Sequence, residues 1–209
     1  NNTTLFRQGE KTMMRIIAGK ANRRKLETLP GEDITRPTAE RVKEGLFSAI
    51  QFELADKKVL DLFAGSGQLA LEALSRGAQS AVLIDASTEA VEIIKTNAKN
   101  TDLMKQCRIS RMDYSEFLKS AALKGEKFDI IFLDPPYAKD MRNEILKKVS
   151  RADICADGAL VICETDKEFM GDDETVYNFT LRKIYRYGRV YITMLKYTEN
   201  GISGDQENE

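Results

Sequence analysis

What most restricts the fold of this chain is an alternation, from about residue 57 to residue 163, of short apolar runs with amphipathic stretches. Residues 58–63, 80–85, 128–133 and 159–163 are apolar at most positions, and strands of that kind must be covered on both faces. A shorter strand is predicted over 108–112. Between the runs, 68–76, 87–100, 115–123 and 141–149 repeat apolar residues at helical spacing. Ser87 stands where a side-chain cap belongs, and Val91, Ile94 and Ala98 share one helix face. Strands interleaved with helices predict an α/β fold, a doubly wound and mostly parallel sheet.

The rhythm changes at both ends. Residues 177–185 and 190–197 alternate apolar with polar positions around 186–189, which contains Gly188. They predict a hairpin that adds an antiparallel edge and completes seven strands. Upstream, 15–18 and 25–28 predict two short strands joined by a basic turn over 19–24, with its charges at the tip. Pro37 and Thr38 precede Val42, Leu46, Phe47, Ile50 and Leu54 at helical spacing, with Thr38 expected as the cap. The expected organisation is therefore a leader foreign to the domain (1–12), an N-terminal β-hairpin extension (13–37), the sheet domain (38–198) and an acidic tail (199–209).

Composition removes several chemistries. The chain has no histidine, hence no imidazole base, no Ser-His or Cys-His pair and few routes to a metal site; none is expected. Cys107, Cys155 and Cys163 are far apart in apolar surroundings and read as reduced core thiols. No run is long enough for a membrane span and no signal sequence is evident, so a cytoplasmic protein is expected. Net charge is only −1, but the basic residues cluster. Lys20, Arg23, Arg24, Lys25, Arg36 and Arg41 belong to one strip; Arg182, Lys183, Arg186, Arg189 and Lys196 form another without any acid. Two such strips favour a phosphate-facing surface.

Chemistry-bearing residues gather where strands end. Asp61-Leu62-Phe63-Ala64-Gly65-Ser66-Gly67 turns a strand into a helix, and its glycines let backbone approach a ligand. Gly65, Gly67 and Ala70 also fit a dinucleotide fingerprint, with Asp85 where a ribose-binding acid would lie. Asp61, Asp85 and Asp113 all follow strands, at the edge where open parallel sheets bind ligands. Three carboxylates there suit a cationic, polyhydroxylated ligand such as S-adenosylmethionine better than a pyrophosphate. Asp134-Pro135-Pro136-Tyr137 follows the most apolar strand. Its prolines remove two donors, leaving the Asp134 carboxylate and the Pro135 carbonyl to accept both N–H bonds of an exocyclic amine, with Tyr137 as a stacking face.

These segments resemble the class I, amine-directed S-adenosylmethionine methyltransferases. Together with Arg15-Ile16-Ile17-Ala18-Gly19, Arg36-Pro37-Thr38 and the stretch 69–78, they are similar to the bacterial 16S ribosomal RNA guanine-N2 methyltransferases of the RsmD type, over about 14–197. The resemblance implies a Rossmann-like fold and cofactor contacts from Asp61, Phe63, Gly65, Gly67, Asp85 and Asp113. It implies amine binding and catalysis by Asp134, Pro135 and Tyr137. RNA contacts are expected from Arg23, Arg24, Lys25, Arg36, Thr38 and Arg41, with a monomer acting on 16S ribosomal RNA, free or in an assembling small subunit. Gln68 departs slightly from the family pattern. Three competing readings remain. A DNA adenine-N6 or cytosine-N4 methyltransferase would need a recognition segment for which there is no long insertion. A nicotinamide oxidoreductase leaves 134–137 without a purpose. A non-catalytic RNA-binding assembly factor would not need intact cofactor acids.

Overall fold

The computed structural model describes residues 14–29, 37–135, 141–166 and 175–199. Its sheet has the order β3-β2-β1-β4-β5-β8-β7-β6. The first five strands in that order, β3 (Cys107–Arg111), β2 (Ser80–Asp85), β1 (Lys58–Asp61), β4 (Phe128–Leu133) and β5 (Cys155–Thr165), are parallel. The antiparallel edge is β8 (Val190–Tyr197), β7 (Phe179–Tyr187) and β6 (Thr175–Val176). The seven expected strands are thus joined by a two-residue eighth. Tyr177 and Asn178 both adopt positive φ, 51° and 68°, the geometry of a two-residue hairpin turn. They therefore separate β6 from β7, and β7 starts at Phe179 rather than Tyr177.

Strand alternation divides the core cleanly. Val59, Leu83, Ile130, Phe132, Leu160 and Ile162 pack with α1 (Pro37–Ala49), α2 (Gln68–Ser75) and α3 (Thr88–Asn100). Leu60, Ile84, Ile131, Leu133, Val161 and Cys163 pack on the opposite face with α4 (Tyr114–Leu123) and α5 (Met141–Arg151). Each fully buried large apolar side chain contributes about 1.5–3 kcal/mol, and this two-sided burial is what the continuous apolar runs require. Ser87 caps α3, its side chain accepting from the Ala90 amide. The helix α1 begins at Pro37, so Thr38 lies inside its first turn rather than ahead of it; proline suits that first position because its missing N–H has no helical partner there. The three cysteines are free, and burial pushes each thiol up to about 12.

The N-terminal hairpin is reduced to a single antiparallel bridge, Arg15 with Lys25. Side chains of the domain take the place of a longer ladder. The Glu72 carboxylate accepts from the Ile17 and Ala18 amides at 2.7 and 3.0 Å, and Asn97 Oδ1 accepts from the Glu27 amide at 2.7 Å. The Ile16 and Leu26 amides still donate across the hairpin, to the carbonyls of Arg24 and Met14, while those of Ile17, Ala18 and Glu27 are satisfied by α2 and α3 instead of a longer ladder. Among the described residues no helix is long and apolar enough to cross a membrane.

Candidate active site

Because β1 to β5 run parallel, their carboxyl ends share one edge. Asp61 ends β1, Asp85 ends β2, and Asp134 follows β4. Val59 and Phe132 belong to the α1–α3 face, and alternation assigns Asp61 and Asp134 to the same face. Asp61 is 2% exposed. Burial first, then Asp134 and Asp85, raise its carboxyl to about 7, opposed by hydrogen bonds from the Ala70 and Phe63 amides. The charged groups that act on it most strongly are themselves acids. A buried acid held by other acids is completed by a positively charged ligand.

The glycine loop is shaped from several directions. Asp85 accepts from the Gly65 amide at 2.9 Å through one oxygen and from the Ser87 amide at 2.8 Å through the other, so it fastens the loop to the start of α3. Gly67 has φ +77°, and a Cβ there would lie 3.1 Å from Leu83 Cδ2 and 3.3 Å from Ile94 Cγ2. It must be glycine for both conformation and packing. Gly65 has φ +52°, but a Cβ would meet nothing within 4 Å, which leaves its backbone open to a ligand. Asn97, fully buried, donates to the carbonyls of Ser66 and Glu27, both at 2.9 Å, and so ties the loop to the N-terminal extension. Phe63 is half-buried against Tyr114, ring centroids 5.3 Å apart.

Asp113 is used differently. It caps α4, one carboxylate oxygen accepting from the Ser115 amide at 2.8 Å and hydroxyl at 2.6 Å. Those bonds lower its pKa. The group that joins Asp134 instead is Glu164 on β5, raised to about 7 by burial and then by Asp134. The sequence held a signal for it: Glu164 follows an apolar strand just as Asp134 does. Asn97 had one too, as an amide beside Ala98 on an apolar helix face. Pro135 is half-buried at this edge. Pro136, Tyr137 and Arg36, and the side chain of Thr38, lie outside the described residues.

The expected RNA contacts divide between two edges. The turn over 19–24 packs at the amino edge: the Lys20 amide donates to the Ser75 carbonyl at 2.8 Å, where α2 ends. Arg24 donates to the Asn100 carbonyl and to Asp102, where α3 ends. Arg23 and Lys25 are exposed beside it. At the carboxyl edge Thr165 pairs with Tyr191, which sets the β7–β8 turn beside the end of β5. There Arg186 lies 5.4 Å over the Tyr191 ring, and Arg189 is exposed. Arg41, also exposed, is in the first half of α1.

A pH dependence follows from the acids. Asp61 has a folded pKa of about 7 against an ordinary 3.8, so between those values the folded state holds a proton that the unfolded chain releases. Stability of the ligand-free domain should fall as pH rises from about 4 to about 7. Asp61→Asn should flatten that fall, read from denaturation midpoints across the window. An unchanged slope would show that Asp61 does not hold this proton.

Strand order, glycine loop and carboxyl-edge acids together define a class I methyltransferase domain of Rossmann-like fold. The chain belongs to the Conserved hypothetical protein 95 family, that of ribosomal RNA small subunit methyltransferase D; the family profile matches residues 14–196. It is 36% identical over 155 residues to Ribosomal RNA small subunit methyltransferase D of Escherichia coli (strain K12), covering 74% of this chain and 76% of the relative. It is 33% identical over 183 residues to YlbH of Bacillus subtilis (strain 168), covering 88% and 98%. The solved structure of yhhF from Escherichia coli is similar with a TM-score of 0.76 and 33% identity, covering 89% of this chain and 98% of that one.

Proposed function

We propose that this chain is a cytoplasmic, monomeric enzyme that methylates the exocyclic N2 of a guanine in 16S ribosomal RNA, using S-adenosylmethionine. The observation that carries the reading is the placement of Asp134 and Pro135 at the end of β4, on the sheet edge that holds Asp61 and the Gly65–Gly67 loop. The similarity to ribosomal RNA small subunit methyltransferase D supports the substrate class.

The residues fit the cofactor. Asp61, Asp85 and the open Gly65 backbone offer acceptors for an ammonium and a ribose diol, Phe63 offers an apolar face, and Asp113 stands at the end of the neighbouring strand. The bound cofactor supplies a methyl group already activated on a sulfonium. The chain's own task is then positioning and electrostatics. Asp134 and the Pro135 carbonyl accept the two N–H bonds of the target amine and align its lone pair. Asp134 stabilises the positive charge that grows on that nitrogen, and the proton leaves to water afterwards. Tyr137 is assigned the stacking face, and the target base must be unpaired to reach it. Arg186 and Arg189 are assigned to RNA at this edge, and Arg41, Arg36 and Thr38 are assigned to RNA with them. Arg23, Arg24 and Lys25 serve RNA that extends to the opposite edge.

The test is transfer of labelled methyl from S-adenosylmethionine to unmethylated small-subunit RNA or subunits, followed by digestion to nucleosides. N2-methylguanosine is expected. N6-methyladenosine or N4-methylcytidine in duplex DNA would favour the DNA reading, and the absence of any transfer with RNA binding retained would favour the assembly factor.

A further inference from the structure

Glu164 has no part in the amine chemistry just described, yet it is built into the same place. Leu133 and Cys163 are register partners on parallel β4 and β5, so Asp134 and Glu164 are the next residues of the two strands. Phe132 and Ile162 belong to one face of the sheet and Leu133 and Cys163 to the other; alternation therefore assigns Asp134 and Glu164 to the Phe132 face, the face of Asp61. Glu164 senses Asp134 electrostatically, and no Lys or Arg among the described residues pairs with it. A second acceptor stands beside the first.

We infer that Glu164 accepts the ring N1–H of the target guanine while Asp134 holds the adjacent amine, and so selects guanine among the amine-bearing bases. This rests on the guanine-amine reading above. Guanine is the one standard base whose exocyclic amine adjoins a ring N–H donor. The amines of adenine and cytosine adjoin ring nitrogens that carry only a lone pair, and a carboxylate facing a lone pair is repelled. A pair of neighbouring carboxylates thus accepts from guanine and rejects the other two. A ring N–H also favours ionised Glu164 against the burial that otherwise keeps it protonated.

The experiment uses the full-length enzyme and a small-subunit RNA fragment that carries, at the mapped target position, either guanosine or 2-aminopurine. The analogue keeps the amine but replaces the ring N–H by a bare acceptor nitrogen. Wild-type enzyme should prefer guanosine by at least about a hundredfold in single-turnover rate, because a site built to hydrogen-bond a group rejects the analogue lacking it. In Glu164→Gln the side-chain amide can donate to the bare nitrogen, so the guanosine rate should fall and the 2-aminopurine rate should rise. Glu164→Asp keeps the charge and should keep the preference for guanosine. A side chain that merely supports the strand would lower both rates together. Equal wild-type rates on the two substrates, or an equal loss on both in Glu164→Gln, would overturn the assignment of Glu164. Failure of wild-type enzyme to form N2-methylguanosine would instead overturn the proposed reaction.

Discussion

Asp134→Asn should lower the single-turnover rate of methyl transfer by at least about a hundredfold, the loss expected for one electrostatic stabiliser, with little change in affinity for S-adenosylmethionine. The variant keeps the size of the side chain and one acceptor oxygen, so it can still hold the amine. What it loses is negative charge beside a nitrogen that becomes cationic only as the bond forms, which is stabilisation confined to the transition state. Asp134 also raises the pKa of Asp61, so removing its charge should let Asp61 ionise at lower pH. Rate and cofactor affinity are then separable readouts of one substitution. A wild-type rate in a folded Asp134→Asn enzyme would show that the end of β4 has been assigned the wrong chemistry.

Glu72→Ala should cost about 3–5 kcal/mol of stability, the range for breaking a buried ion pair by removal of one partner. Glu72 is fully buried, and its carboxylate accepts from Arg76 Nε at 2.7 Å as well as from the Ile17 and Ala18 amides. The Lys43 ammonium is 3.7 Å away and only 4% exposed. Burial lowers its pKa although Glu72 and Glu40 oppose the shift. Without Glu72 two backbone donors lose their acceptor, and Lys43, which donates to the Arg15 carbonyl at 2.6 Å, loses its buried counter-charge. Domains of ordinary stability hold only about 5–15 kcal/mol in total, so the denaturant midpoint should move far. Glu72→Gln keeps an acceptor oxygen and should fall between the two. A Glu72→Ala midpoint equal to that of wild type would sink the idea that this carboxylate anchors the extension.

The two predictions concern groups of very different legibility. Asp134 could be read from sequence because proline and a buried strand restrict what the backbone around it can do. The strand that the sequence predicts over 128–133 has those bounds in the structure. Longer-range partners were another matter. The strand β5, expected over 159–163, spans Cys155–Thr165, because pairing with β8 carries it on to Thr165 and pairing of Cys155 with Phe128 on β4 starts it earlier. The extension was expected as a ladder of two strands. Its partners are Glu72 and Asn97, carried by helices whose sequences give no sign of what they will accept. Asp113 adds a role that its position after a strand does not announce: it caps α4, with Ser115 two residues later as the donor. Local periodicity constrains strands and helices; it is silent about which buried polar atom satisfies which distant amide.

The clamp on the extension also orders events during synthesis. Ile17 and Ala18 wait for Glu72, 55 and 54 residues later, and Glu27 waits for Asn97, 70 residues later. At translation speeds of about 5–20 residues per second, those acceptors emerge roughly 3 to 14 seconds after the segment they hold. Throughout that interval Ile16, Ala21 and Leu26, all buried in the finished domain, have α1 beside them but lack the clamps from α2 and α3. The first part of the domain to be made is therefore not secured when it emerges, and a nascent chain stalled before α3 would present that apolar segment, still unclamped, to chaperones.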